Sequence, residues 1–120
     1  GCIIFVKLQQ FEKEDQAQFA TDTTTAKFQA GDVDGIDVLR LHEFGTERVV
    51  LIRWAPNTAF ERHAHKRGEE VFVIDGAFYD DDGEYPAGTW IRSPHGFEHA
   101  PFTRDEGALV YVKVGHLPDQ

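Results

Sequence analysis

Two histidines separated by one residue, His63 and His65, are the side chains most able to do chemistry in this sequence. On a β-strand, alternate side chains point to the same face, so this spacing lets both imidazoles converge on one point. A carboxylate follows four residues later at Glu69, and a further histidine, His99, lies on a later segment. First-row transition metals accept a shell of three imidazole nitrogens and one carboxylate oxygen. The four residues therefore predict a metal site.

The spacing of these residues carries more weight than any one of them. A single histidine is usually solvated or is a hydrogen-bonded core residue, and alone it would predict nothing. Here the pattern H-x-H-x3-E-x6-G is followed by G-x5-P-x-G-x2-H, a combination that chance seldom produces. We therefore expect one divalent transition metal per chain.

The same pattern resembles the two motifs of the cupin superfamily, the RmlC-like proteins. Gly76 closes the first motif. The second motif contains Gly88, Pro94, Gly96 and His99. Residues 82–89 and 94–101 are similar to the ChrR-type cupin-like domains, which occur in anti-sigma factors and as stand-alone proteins. Some of those proteins are related to diketone-cleaving dioxygenases of the acetylacetone dioxygenase type.

The resemblance covers residues 49–114 and implies an all-β fold, a double-stranded β-helix (jelly-roll) barrel in a single domain. Two positions depart from the cupin motifs. Asn57 stands where the first motif usually begins with Gly, and Asn is the residue that best replaces Gly in a left-handed turn. Thr103 stands where the second motif usually ends with Asn, which puts a local hydrogen bond in question but not the metal.

Glu69 and Glu70 compete for the position of the oxygen ligand. The family spacing to Gly76 selects Glu69, and we expect Glu70 to point away, to solvent. The metal is expected to be Fe(II) or Zn(II): iron would serve oxygenation, whereas zinc lacks redox chemistry and would serve a structural, sensing or hydrolytic role.

The surroundings of the metal predict a small, mostly apolar substrate. The apolar side chains expected near it are Val71, Val73, Ile91 and Phe97. Glu61 shares the strand face of His63 and is expected either to orient a liganding imidazole or to lie at the rim. His95 is expected at the rim, and His42 and His116 are expected to have no functional partners.

Composition and charge exclude several classes of partner. The 120 residues are 41% hydrophobic, which suits a single folded domain, and the formal net charge of −9 disfavours nucleic acid and anionic membranes. The apolar run at residues 2–6 is far shorter than the roughly 20 residues that span a bilayer. A single cysteine, Cys2, fits a reducing compartment, so we expect a cytoplasmic protein.

The order of segments along the chain predicts at least seven short strands. Residues 2–8 are β-branched and apolar and predict a strand buried on both faces, which could complete the sheet or pair with a second subunit of a homodimer. Residues 9–20 are expected to form a short helix or a loop. Residues 36–55 predict a hairpin. We divide the chain into an N-terminal strand and linker, residues 1–30, and a barrel, residues 31–120.

The sequence is compatible with three functions. The first is a stand-alone, metal-dependent dioxygenase of a small carbonyl compound, similar to a diketone. The second is a sensor or binding module like the cupin part of an anti-sigma factor, and the third is a fold that metal merely stabilises. A ChrR-type anti-sigma factor is expected to carry an additional zinc-binding domain with paired cysteines, so the single cysteine favours the dioxygenase.

Overall fold

The computed structural model describes residues 1–118, which form nine β-strands and no helix. The strands are β1 (Gln29–Ala30), β2 (Ile36–Phe44), β3 (Glu47–Trp54), β4 (His63–Ala64), β5 (Glu69–Asp80), β6 (Gly83–Pro86), β7 (Trp90–Ser93), β8 (Glu98–His99) and β9 (Ala108–Val114). Within the described residues, no helix has the length and apolar character that a membrane crossing requires. The prediction of an all-β domain is confirmed.

Seven of the strands form one antiparallel sheet, and β4 and β8 form a second sheet of two strands. The large sheet has the order β1-β2-β3-β9-β5-β6, and β7 pairs with β5 as well. The last strand therefore lies between β3 and β5, so the central pairings join segments that are distant in sequence. This topology agrees with the predicted jelly-roll barrel.

Alternation of side chains places an apolar core on the inner face of the large sheet. On β9, for example, Ala108, Val110 and Val112 are buried at alternate positions. The buried core consists of Ile36, Val50, Trp54, Val71, Val73, Phe78, Ala108, Val110 and Val112. Burying each large apolar side chain contributes about 1.5–3 kcal/mol, so this layer is the main source of stability.

The conformations of the turns agree with the residues that occupy them. The predicted hairpin is confirmed, since β2 and β3 pair antiparallel around Gly45 and Thr46, with Gly45 at a φ of 57°. Asn57 has a φ of 53°, so it takes the left-handed conformation expected of a Gly replacement. Thr103 restores the local hydrogen bonding, because its hydroxyl donates to the Ala55 carbonyl at 2.7 Å and accepts from the Thr58 amide at 3.1 Å.

The predicted strand at residues 2–8 is wrong. These residues form no strand, and Ile3, Ile4, Val6 and Leu8 are exposed. Phe5 explains the arrangement, because its ring packs on rings of the central strands β5 and β9. Those strands already have neighbours on both sides, so the segment covers a face of the sheet and finds no free edge with which to pair.

Residues 9–20 form an irregular loop rather than a helix. A single turn is closed by the Asp15 amide, which donates to the Glu12 carbonyl at 2.9 Å. The Asp15 side chain is buried against the barrel, where it contacts His42 at 2.7 Å. Polar contacts with the barrel therefore hold this loop in place of helical hydrogen bonds.

Candidate metal centre

The three histidines of the predicted site lie on the small sheet and on the turn that follows it. His63 of β4 pairs directly with His99 of β8, and His65 lies two residues beyond His63. The ring centroids of His63 and His99 are 4.5 Å apart, and those of His63 and His65 are 4.9 Å apart. The strand pairing thus brings together residues that are 36 positions apart in the chain.

Glu69 adds a carboxylate to the three imidazoles from the start of β5. Its Oε2 atom lies 2.9 Å from Nε2 of His65, and its Oε1 atom lies 3.5 Å from Nε2 of His99. The Glu69 side chain is only 8% exposed, although it carries a charge. A buried carboxylate needs a positive partner, and the imidazoles alone supply one only when protonated.

The hydrogen bond of His63 fixes how that imidazole is presented. Its Nδ1 atom lies 2.8 Å from the carbonyl oxygen of Glu61, which can only accept, so Nδ1–H donates. The lone pair of Nε2 therefore faces inward, where Nε2 of His99 lies 3.0 Å away. A backbone carbonyl that orients a liganding imidazole is a common feature of metal sites. The backbone of Glu61 is in this position, whereas its side chain is exposed.

The protonation of His99 also suits a metal ligand. Burial lowers the pKa of His99 below its ordinary value of 6.5; the Glu69 carboxylate opposes this shift, and the two neighbouring imidazoles add to it. A lowered pKa keeps the ring neutral near pH 7, and only a neutral imidazole can ligate.

The donor set and its spacing fit a divalent transition metal. Ligand atoms about 2.1 Å from such a metal are about 3.0–3.4 Å from one another in octahedral or tetrahedral geometry. Three donor-atom separations are close to these values: His65 to Glu69 at 2.9 Å, His63 to His99 at 3.0 Å, and His99 to Glu69 at 3.5 Å. The cluster of His63, His65 and His99, with the Glu69 carboxylate, is therefore able to bind a metal.

A cavity of about 320 Å³ opens beside the cluster, inside the barrel. Its wall includes the donor residues and is otherwise mainly apolar. The apolar lining includes Val38, Val50, Phe60, Val71, Val110 and Val112. A cavity of this size suits a small organic molecule.

The residues predicted around the substrate are distributed unevenly. Val71 lines the cavity, but Val73 is fully buried in the core and Ile91 packs against that core from β7. Phe97 is 37% exposed, with its ring centroid 6.4 Å from that of His99. The sequence reasoning missed the contribution of β2 and β3 to the cavity wall, because that contribution depends on the long-range pairing of β3 with β9.

One prediction about the neighbouring polar residues is wrong, and two histidines have contacts that the sequence did not indicate. Glu70 is 5% exposed rather than solvated, and its Oε1 atom pairs with the Lys7 ammonium at 2.6 Å. His116 and His42, for which no functional partner was expected, have carboxylate neighbours: His116 lies 3.7 Å from Glu70, and His42 lies 2.7 Å from Asp15. The signal was absent from local sequence because these contacts join segments far apart in the chain.

Comparison with known families agrees with this geometry. Residues 16–118 match the profile of the ChrR cupin-like domain. The chain belongs to this family. No curated protein is similar to it in sequence.

Solved structures of low sequence identity share the fold. A cupin-like protein of unknown function from Ralstonia eutropha has a TM-score of 0.72 at 20% identity, over 86% of this chain and 70% of the other. The Rhodobacter sphaeroides complex of SigE with the anti-sigma ChrR matches with a TM-score of 0.68 at 19% identity, over 78% of this chain and 50% of that one. This cupin-like chain therefore spans half of that relative's length.

An acetylacetone dioxygenase from Acinetobacter johnsonii also matches, with a TM-score of 0.67 at 15% identity, over 92% of this chain and 80% of the other. At such identities the similarity establishes the fold alone. A fold of this kind hosts unrelated activities, so the function must be argued from the site.

Proposed function

We propose that this protein is a non-haem, metal-dependent dioxygenase that acts on a small carbonyl compound of diketone type. The observation that carries the proposal is the cluster of His63, His65, Glu69 and His99 on the wall of a mainly apolar cavity. Four protein ligands would leave two positions open on a six-coordinate metal, and a substrate could fill them with its two carbonyl oxygens. The chemistry that iron(II) supplies in such a shell is activation of O2, which protein side chains do not provide.

The residues of the chain orient the metal ligands and surround the cavity with apolar side chains. The Glu61 carbonyl holds the ring of His63, and the buried carboxylate of Glu69 offsets part of a divalent charge. Val71 and Val112 present apolar surface to the cavity beside these donors. An apolar wall favours the carbon skeleton of the substrate and leaves its two carbonyl oxygens to the metal as the main polar anchor.

The test begins with elemental analysis of protein purified without a histidine tag and without added metal. We expect iron near one equivalent per chain and O2 uptake when acetylacetone or a related diketone is added. The double variant with His63→Ala and His65→Ala should lose both metal and O2 uptake, whereas His95→Ala, at a neighbouring histidine outside the donor set, should keep both. Iron-loaded protein that consumes no O2 with any diketone would contradict the proposal.

A second candidate function is a metal-binding sensor of the anti-sigma type. It is favoured by membership of the ChrR cupin-like family and by similarity to the SigE–ChrR complex. Zinc at one equivalent per chain, retained through purification and without O2 uptake, would support the sensor. The identity of the resident metal therefore separates the two functions.

We further propose that the protein is a homodimer whose subunits meet through the exposed apolar residues of the N-terminal segment, residues 1–30. Contiguous exposed apolar side chains commonly mark protein interfaces. The cytoplasmic location stays a prediction that rests on the single, exposed thiol of Cys2.

A further inference from the structure

Two arginines lie on the wall of the cavity beside the metal centre. Arg40 of β2 follows Ile36 and Val38 on the face that turns toward the cavity, and Arg48 of β3 precedes Val50 on the matching face. Alternation in a barrel favours apolar side chains at inward positions. Arg40 and Arg48 stand at the end of this row, where their side chains are exposed, so the cavity wall ends in two cationic groups.

The strand register places these arginines close to the metal ligands. Arg48 pairs with Val114 of β9, which pairs in turn with Glu69 of β5, so all three residues lie in one row across the sheet. Neighbouring strands are about 4.8 Å apart, so the Cα atoms of Arg48 and Glu69 are about 10 Å apart. An arginine side chain and a small ligand together can bridge that interval.

A β-bulge after Arg40 determines which charged side chains lie beside the cavity. The register shift between Arg40 and His42 turns His42 to the outer face and sets Glu43 directly opposite Arg48. Bulges of this kind re-aim side chains beside functional sites. The guanidinium groups of Arg40 and Arg48 line the cavity here, and the Glu43 carboxylate lies beside both of them.

Glu43 holds the two arginines only loosely. Its Oε1 atom is 3.8 Å from Nε of Arg40 and 3.6 Å from Nε of Arg48, both longer than a hydrogen bond. The side chains of Arg40 and Arg48 are 69% and 62% exposed, so most of their N–H groups face solvent. Among residues 1–118, these are the Lys and Arg residues that line the cavity, and the other acidic residue on its wall besides Glu69 is Asp32.

We propose that Arg40 and Arg48 bind the carboxylate of an anionic substrate whose carbonyl end reaches the metal centre. The inference rests on the proposed function and names its substrate class: a dicarbonyl compound with a short apolar body and a terminal carboxylate. The guanidinium group matches a carboxylate with two parallel hydrogen bonds. The substrate carboxylate takes the place of Glu43 between the two arginines. The formal charge of the chain is −9, so a local pair of guanidinium groups is what allows an anion to approach.

The experiment compares two ligands that share a diketone body and differ in whether the end group is an anionic carboxylate or a neutral methyl ester. Zinc-loaded protein, which supports no redox chemistry, is titrated by calorimetry with a β-diketone that carries a terminal carboxylate and with the methyl ester of the same compound. The wild-type protein should bind the acid more tightly than the ester. Arg48→Gln should weaken binding of the acid about tenfold and change binding of the ester by less than about twofold.

Two further variants sharpen the test. Glu43→Gln should tighten binding of the acid, because it removes the carboxylate that competes for the arginines. Arg53→Gln is the matched control, since Arg53 lies on the same strand as Arg48 with its guanidinium over the ring of Phe28, and it should change neither affinity.

If acid and ester bind equally and Arg48→Gln leaves their ratio unchanged, the arginine proposal is wrong and the proposed function stands. If neither compound binds, the proposed function falls and takes this inference with it.

Discussion

At the scale of single residues, Glu69 and Glu70 show how one strand separates two roles. They are adjacent on β5, so their side chains leave opposite faces of the sheet. Glu69 faces the imidazoles of His65 and His99, whereas Glu70 faces the Lys7 ammonium and His116. Both carboxylates are buried, but their stabilising partners differ. We therefore expect one of them to govern metal affinity and the other to govern stability.

Exchange of each carboxylate for an amide tests this division. Glu69→Gln should weaken metal binding by at least about tenfold, because a neutral amide is a poorer ligand than a carboxylate. Glu70→Gln should leave metal affinity nearly unchanged and lower the free energy of unfolding by about 1–3 kcal/mol, because a buried charge-assisted contact with Lys7 is lost. Competition with a chromophoric chelator and urea unfolding of the metal-free protein measure the two quantities. Loss of metal from Glu70→Gln would contradict the assignment.

The stability of the fold should fall at mildly acidic pH partly because of His116. Burial lowers the pKa of His116 below its ordinary value of 6.5; the Glu70 carboxylate opposes the shift, and Lys7 and Lys113 add to it. Below pH 6.5 the unfolded chain therefore binds a proton that the folded chain resists. The stabilisation that the folded chain gains while His116 is neutral is fully present above pH 6.5. It is lost as the pH falls through the lowered pKa of His116 in the folded chain.

Replacement of His116 isolates this contribution. His116→Gln should show a shallower loss of unfolding free energy than the wild-type protein as the pH falls below about 6.5. Urea unfolding of both proteins in metal-free buffers gives the two profiles, and His99 titrates equally in each. Parallel profiles would mean that His116 has the same pKa in the folded and unfolded chains.

Local spacing was sufficient to predict the donor cluster but not its neighbours. The alternation of His63 and His65 and the fixed interval to Glu69 are properties of one strand and one turn. The burial of Glu70 depends on Lys7, which lies 63 residues away in the chain. No periodicity within β5 contains that information, so the side chain was expected in solvent.

At the scale of elements, Gly76 lets β5 bend at the point where its partner strands change. Gly76 has a φ of 73°, and the first half of β5 pairs with β7 and β9 whereas the second half pairs with β6. A Cβ atom at Gly76 would lie 2.2 Å from the carbonyl oxygen of Gly107. Both the backbone angle and the close approach require glycine here.

Gly76→Ala should therefore destabilise the barrel. We expect a loss of at least about 2 kcal/mol in the free energy of unfolding, from backbone strain and from the displacement of the turn at Gly107. Gly83→Ala is the matched control, because the nearest atom to its added Cβ lies 3.4 Å away in the Tyr85 side chain. Urea unfolding should show little change for the control. Equal stability of the two variants would show that the turn relaxes freely.

The turns and hairpins of the barrel were predictable because their residues fix the backbone locally. Gly45 and Asn57 occupy left-handed conformations that few other residues adopt. Residues 2–8 have the composition of a strand, but strand formation needs a free edge as well as propensity. The partners of β5 and β9 are set by long-range pairing, which composition does not encode.

At the scale of the whole molecule, the N-terminal segment places an apolar surface on the outside of the barrel. Phe5 and Lys7 turn toward the sheet, where they contact Phe72 and Glu70. The alternate residues Ile4 and Val6 turn outward and are 70% and 61% exposed. Because the outward face of this segment is apolar, the same surface on a second copy is its most fitting cover, in an isologous dimer.

If this surface forms the dimer, the protein should have the mass of two chains in solution, and changes to the surface should reduce it to one. In size-exclusion chromatography with light scattering, the wild-type protein should elute as a dimer, and the double variant with Ile4→Lys and Val6→Lys should elute as a monomer. A double variant with Gln18→Lys and Thr21→Lys adds the same charge at exposed polar positions and should remain dimeric. Because Ile4 and Val6 face away from the sheet, the monomeric variant should keep its metal content and its far-ultraviolet circular dichroism. A monomeric wild-type protein, or a dimer that survives the lysines at Ile4 and Val6, would show that the N-terminal segment serves the barrel of its own chain alone.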